Sequence, residues 1–276
     1  MLPSPVGERG NGIAFCQVCH HFFLYVHRND ATDEYRADAY FGLIDRRAAG
    51  EPLQYILGSQ EFMGLNFAVN PSVLIPRQDT ETLVEEALKH LGNVENRRSW
   101  ICVPAPAVSC SVFFWNGRMP VGPVWMFRRK HWKWQKECGI LKVENRADFV
   151  ESDLFSAPYF CEKGGKDSGK YDILISNPPY IATEEIETLM EEVRLHDPRK
   201  ALDGMEDGLY FYRKITAEAG RYLKPGGWLL YEIGCTQGEA VSTMMKAAGF
   251  TGVQIVKDLP GLDRVVLGQK QEEIHV

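Results

Sequence analysis

Apolar positions in this chain change their spacing from one stretch to the next. Between Ala37 and Ala49, the residues Ala39, Phe41, Leu43, Ile44 and Ala48 fall near helical spacing, and Gly50-Glu51-Pro52 stops the run. Glu61 to Val69 instead alternates around a Gly-containing turn, which predicts a β-hairpin. Val73 to Arg77 is a short apolar run interrupted by Pro76. Thr80 is then expected to cap a helix over Thr82 to Leu91, with Leu83, Val84, Ala87, Leu88 and Leu91 on one face.

From Ala147 onward, strands and helices alternate. Strands are predicted at Asp148 to Glu151, Tyr171 to Ser176 and Trp228 to Ile233, with helices over Glu184 to Val193, Leu209 to Tyr222 and Gly238 to Ala248. Val253 to Lys257 and Arg264 to Gly268 read as a closing antiparallel pair. This order implies an α/β fold with a mostly parallel sheet and helices on both faces. Such sheets bind ligands beyond the carboxyl ends of their strands.

Composition narrows the class. The 276 residues are 45% hydrophobic and 25% charged, with a net charge of −6, so there is no global basic footprint for nucleic acid. No apolar run approaches the roughly 20 residues that span a bilayer. The first residues lack the basic-then-apolar pattern of a signal peptide, so a cytoplasmic protein is expected. Cys16-Gln17-Val18-Cys19-His20 matches a c-type haem attachment pattern, but that chemistry needs export. Chance spacing in an apolar stretch explains it more simply. Cys16, Cys19, His20 and His21 could also ligate zinc, but no second Cys/His pair follows at finger spacing.

One segment resists this pattern. Residues 97–136 hold five of the six Trp, four Pro and eight basic side chains, and contain no Asp, Glu or Leu. No periodicity predicts a helix or strand within them. A nucleic-acid or membrane patch is one account; a reading-frame slip explains more. Back-translated and read two nucleotides on, Trp100-Ile101 forces an Asp codon. The stretch through Cys110 then decodes as D-L-C-T-G-T-G-C-I-L within codon degeneracy. In the same frame, Trp125 to Gln135 decodes as V-D-V-S-E-E-A-L-E-V-A. The first string is a strand running into a Gly-rich turn. The second is a strand-end acid leading into a helix. Both belong in a dinucleotide-like or adenosyl-binding unit. The written frame resumes near Glu137 to Ile140.

The chemistry rests on Asn177-Pro178-Pro179-Tyr180. Pro178 pushes Asn177 into an extended conformation at the end of its strand. Two successive prolines stiffen the loop and leave their carbonyls available as acceptors, alongside the Asn177 side-chain oxygen. An amide nitrogen is a poor nucleophile because its lone pair is delocalised. Two acceptors can hold its N–H bonds and aim the lone pair at an electrophilic methyl group. Tyr180 can pack on the planar group. A plain Asn-Pro turn is the bland alternative.

On these residues the chain resembles the release factor glutamine N5-methyltransferases, the HemK/PrmC family. The resemblance spans about Ala37 to Leu91 and Asn145 to Gly268. It is carried by Arg46-Arg47-Ala48-Ala49-Gly50-Glu51-Pro52-Leu53-Gln54-Tyr55-Ile56-Leu57-Gly58, Glu61-Phe62-Met63-Gly64-Leu65 and Leu74-Ile75-Pro76-Arg77-Gln78-Asp79-Thr80-Glu81. These segments separate it from DNA adenine methyltransferases, which share only the NPPY-type loop.

The resemblance implies a Rossmann-like S-adenosylmethionine-dependent methyltransferase sheet, a small N-terminal helical domain and a linking β-hairpin. The expected bounds are 1–58 for the release-factor-binding domain, 59–76 for the hairpin and 77–276 for the methyltransferase domain. The implied reaction methylates the Gln side chain in the Gly-Gly-Gln motif of class I peptide chain release factors. Asn177, Pro178, Pro179 and Tyr180 would hold that amide, with Asn177 also near the cofactor. Asp153 and Leu154 match the loop that flanks the adenine. Ile75, Pro76 and Arg77 would shape an interdomain cleft, with Arg77 tying the domains together. Glu232 would either face the pocket or serve the structure. A monomer is expected, acting on release factors without membrane or direct nucleic-acid contact. The competing readings are a DNA or RNA adenine N6-methyltransferase and an impaired relative that only binds release factor. The family's Gly-rich loop and ribose-binding acid are missing from the written sequence and appear only in the shifted frame, so weak S-adenosylmethionine binding is expected.

Overall fold

The computed structural model describes residues 34–71, 74–91, 99–103, 122–126, 147–151, 154–155 and 171–272. The Cys16 to His21 cluster, Val73, Asp153 and most of 97–136 lie outside the described residues. The chain divides into two compact units, residues 1–51 and 52–276. In the first, helix α1 (Glu34–Ala48) is the described element, and it begins before the predicted Ala37. It ends at Gly50, whose φ of 89° suits a residue without Cβ. Arg46 pairs with Glu51 beyond that turn.

The second unit opens with a short helix, α2 (Leu53–Leu57), followed by the hairpin strands β1 (Ser59–Phe62) and β2 (Leu65–Ala68). Met63 and Gly64 make the turn with φ of 52° and 75°, the positive pair that a two-residue hairpin prefers. Helix α3 (Asp79–Leu91) buries Leu83, Val84, Ala87 and Leu91, as the spacing predicts. Thr80 is a correction: it lies inside the first turn of α3, is buried, and does not cap the helix.

A seven-stranded sheet follows: β3 (Ser99–Val103), β4 (Gly122–Met126), β5 (Ala147–Glu151), β6 (Tyr171–Ser176), β7 (Leu223–Glu232), β8 (Phe250–Lys257) and β9 (Asp263–Lys270). Its order is β5-β4-β3-β6-β7-β9-β8. The first five strands in that order run parallel, while β9 is antiparallel to both β7 and β8. Strands β3 and β4 lie in the stretch where the sequence predicts no regular element. Sheet pairing to β6 and β5 supplies what local periodicity does not.

Between β6 and β7, the predicted single helix is broken. A 3₁₀ turn covers Glu185–Thr188, and α4 (Glu191–His196) starts after Leu189 turns extended with ψ of 158°. After α5 (Arg199–Leu202) comes α6 (Tyr210–Tyr222), and after β7 comes α7 (Gly238–Ala247). Two-residue alternation splits the core. Ile173, Ile175, Leu230, Val265 and Leu267 pack with α3 and the hairpin. Leu174, Leu229, Tyr231 and Val266 pack with α6 and α7 on the other face. Tyr231 carries its hydroxyl into that second face, where the Thr216 hydroxyl meets it at 2.9 Å and removes the cost of burying it.

Candidate active site

Chain direction across the sheet reverses between β3 and β6. From β3 the chain steps outward to β4 and β5, and from β6 it steps the other way to β7. The crevice beyond the carboxyl ends at such a reversal is where open α/β sheets hold ligands. Asn177 leaves β6 at that point, one residue beyond the paired Cys102 and Ser176. Asn177 and Tyr180 are half-buried, while Pro178 and Pro179 are buried. The structure thus brings the four predicted residues together at the crevice.

The loop is braced from one side. Ile181 N–H donates to the Leu202 carbonyl at 3.0 Å, and Gly204 N–H donates to the Ile181 carbonyl at 2.8 Å. Thr183 N–H donates to the Met205 carbonyl at 2.9 Å, and its hydroxyl donates to Asp203 Oδ1 at 2.7 Å. Gly204 and Gly208 are required by close approach. A Cβ on Gly204 would stand 2.9 Å from the Pro179 carbonyl oxygen, and one on Gly208 would stand 2.3 Å from the Tyr180 carbonyl oxygen. Gln237 Nε2 donates to the Tyr180 carbonyl at 2.8 Å. No periodic pattern singles out Gly204, Gly208 or Gln237. Their signal is only that small or amide residues stand in loops between predicted elements.

Glu232 ends β7 next to this loop and is buried, with Oε2 unpartnered among the described residues. Burial raises its carboxyl to about 7, although the Thr80 side chain, Arg264 and Arg77 oppose the shift. Burial likewise raises the Tyr180 phenol, aided by the nearby Glu232, so Tyr180 stays neutral and can donate. Arg264 is held by Asp258 at 3.1 Å and by Asp79 at 3.3 Å, and donates to the Ile233 carbonyl at 3.3 Å. Arg77 pairs with Asp197 at 3.3 Å. Tyr55 also bonds Asp197.

Leu154 follows β5 and adopts a φ of 51°, a left-handed conformation unusual for Leu. It packs with the α6 cluster, and its neighbour Phe155 stacks on Tyr222 at 4.8 Å. Among the described residues no group of His, Cys, Asp and Glu could hold a metal ion, and no helix is long and apolar enough to cross a membrane.

The profile of the PrmC N-terminal domain matches residues 14–58. The release factor glutamine methyltransferase of Geobacter sulfurreducens is 40% identical over 248 residues, 89% of this chain and 83% of that protein. The chain belongs to the release factor glutamine methyltransferases. The release factor glutamine methyltransferase of Thermodesulfovibrio yellowstonii is 34% identical over 267 residues, covering 93% of this chain and 91% of that protein. Among solved structures, the hMettl16 catalytic domain covers 83% of this chain and 94% of its own at a TM-score of 0.56 and 9% identity, a likeness of fold alone. These methyltransferase relatives and the sheet order agree on a Rossmann-like architecture.

Membership exposes the odd segment. Strand β3 ends at Val103, level with Met126 at the end of β4. The residues that follow in sequence are Pro104-Ala105-Pro106 and Phe127-Arg128-Arg129-Lys130, and no Asp or Glu occurs between Met126 and Glu137. In the shifted frame the Gly-rich string would continue past Val103, where β3 ends, and the Asp of the second string would fall at Trp125-Met126, the end of β4.

Proposed function

We propose that this site receives the side-chain carboxamide of Gln in the Gly-Gly-Gln motif of a class I release factor and presents its nitrogen for N5-methylation. The observation that carries the reading is the braced Asn177–Tyr180 loop at the sheet reversal, in a chain of this family. The Asn177 side-chain oxygen and the Pro178 carbonyl accept the two amide hydrogens. With both N–H bonds held in plane, the lone pair points along the normal to the amide. Tyr180 packs on the amide plane and stays neutral. Residues 1–58 form the release-factor-binding domain, 59–76 the hairpin and 77–276 the methyltransferase domain. The chain acts as a cytoplasmic monomer on a protein substrate, without direct nucleic-acid contact; its net charge of −6 favours that substrate over DNA or RNA adenine.

The methyl donor of the family is S-adenosylmethionine. Asp153, Leu154 and Asn177 are the residues here assigned to it. The written residues after β3 and β4 do not fit it. Pro104 and Pro106 have no N–H to offer, and glycine is absent where backbone must approach closely. No acid stands at Trp125-Met126, where an acceptor for ribose hydroxyls is needed, and the Arg128-Arg129-Lys130 that follow in sequence carry the same sign of charge as a sulfonium ion. We attribute residues 97–136 to a shifted reading frame. The written chain therefore binds release factor but transfers methyl groups poorly.

The test is methyl transfer from labelled S-adenosylmethionine to release factor and to DNA, using the chain with 97–136 restored to the shifted frame. Label on the Gln of release factor alone is expected. Label on DNA adenine supports the nucleic-acid reading instead, and release-factor binding with no label even after restoration supports a binding protein.

A further inference from the structure

Gln237 stands at the junction of the loop after β7 and helix α7, with φ of −97° and ψ of −4°. Its side chain makes no capping bond to its own helix, the usual local task of a polar residue there. The carboxamide is instead spent on two other segments. Oε1 accepts from Gly234 N–H at 3.0 Å and stands 3.5 Å from the Tyr212 hydroxyl. Nε2 donates to the Tyr180 carbonyl at 2.8 Å and points to the Gly208 carbonyl at 3.4 Å. The orientation is fixed by chemistry: Gly234 offers only an N–H on one side, and Tyr180 and Gly208 only carbonyls on the other. A flipped amide would set oxygen against two oxygens.

This contact reaches a residue 57 positions earlier in the chain. The backbone-to-backbone anchors of the loop begin one residue later, at Ile181. Gln237 is what holds the carbonyl of Tyr180 itself. The space it uses is kept open by Gly208, where a Cβ would stand 2.8 Å from Nε2. The turn that carries Gln237 is closed by its own N–H on the Gly234 carbonyl at 2.9 Å. That turn is tied to the sheet by Arg264 on the Ile233 carbonyl and by the Tyr212 hydroxyl on the Glu232 carbonyl at 2.9 Å. A rigid line therefore runs from β7 through one carboxamide to the loop that meets the substrate.

We propose that Gln237 is a positioning residue, whose carboxamide braces the Tyr180 carbonyl and so fixes where Asn177 and Pro178 present their acceptors. The inference rests on the reading of that loop as the Gln-binding element. It gives Gln237 no contact with substrate. Its effect is on how well the loop distinguishes a carboxamide from a side chain that has none.

The test compares the whole chain with Gln237→Met and Gln237→Glu. Gln237→Glu keeps an acceptor for Gly234 N–H but has no N–H for Tyr180. Calorimetry measures each protein against release factor and against release factor with Ala in place of the motif Gln. The native chain is expected to prefer the Gln form, and both variants to lose about tenfold of that preference while binding the Ala form within about twofold of the native chain. Hydrogen exchange over 180–183 is expected to quicken about tenfold in both variants, with 223–232 unchanged. Variants that keep the native preference and exchange overturn the proposal. If the native chain shows no preference, the Gln-binding reading fails on its own, and exchange at 180–183 then decides whether Gln237 braces the loop.

Discussion

The carboxyl end of β6 and the carboxyl ends of β3 and β4 lie side by side in one sheet, yet they carry different kinds of sequence. Beyond β6, Asn177 to Ile181 is braced by Leu202, Gly204 and Gln237, and each brace is a bond that sequence elsewhere in the chain is shaped to make. Beyond β3 and β4, the written sequence has prolines and cations, and the donor subsite proposed there calls for N–H donors, close-approaching backbone and an acid. The strands themselves still pair in register with β6 and β5. Pairing uses the backbone, and even β4, with Pro123 opposite Asp148, keeps its register; ligand recognition needs particular side chains and glycines. A sheet can therefore keep its order while one part of its crevice loses its chemistry.

The largest expected effect breaks this contrast. Restoring 97–136 to the shifted frame should raise methyl transfer to release factor at least roughly a thousandfold, since it supplies an entire binding subsite. Transfer assayed at saturating release factor checks it, and equal rates in the two chains would mean that the written residues suffice.

Next in size is the buried carboxyl beside the loop. Glu232 is raised from 4.5 to about 7 by burial, so the folded chain holds a proton that the unfolded chain releases. Below pH 4.5 both states are protonated and there is no penalty. Between pH 4.5 and 7 the native chain loses about 3 kcal/mol relative to Glu232→Gln, and above 7 the gap stays constant. Urea unfolding of both proteins at pH 4.5 and 8 measures this. A gap that does not widen with pH would show that Thr80, Arg264 and Arg77 fully compensate the charge.

Asn177→Ala in the restored chain is expected to lower kcat/KM for release factor roughly a hundredfold, with a smaller loss of cofactor affinity and a Tm near the native value. A loss of cofactor affinity as large as the loss of kcat/KM would mean that Asn177 serves the donor alone and not the substrate amide. Smallest is Gly208→Ala, expected to cost about 2 kcal/mol, because its φ of 71° disfavours Cβ and the added atom meets the Tyr180 carbonyl. Thermal unfolding reads that cost, and an unchanged midpoint would show that the brace yields freely.

Much of this was legible in order and spacing. Ile173 to Ser176 reads as a buried strand and is one, and the face of α3 follows its helical repeat. The amide-holding tetrapeptide is visible because Pro restricts its neighbour locally. What sequence hid depends on distant partners. Strands β3 and β4 form by pairing with other strands, and the extended Leu189 breaks a helix that periodicity alone would continue. Thr80 looked like a cap because its type suits one; burial beside Glu232 gives it another neighbour. Gly208 and Gln237 become meaningful only once Tyr180 lies against them.

Calorimetric titration of S-adenosylmethionine into the written chain and into the chain with 97–136 restored tests the contrast between the two crevice regions most directly. The restored chain should bind at micromolar concentration, and the written chain at least about a hundredfold more weakly, or not measurably. Micromolar binding by the written chain would contradict the account.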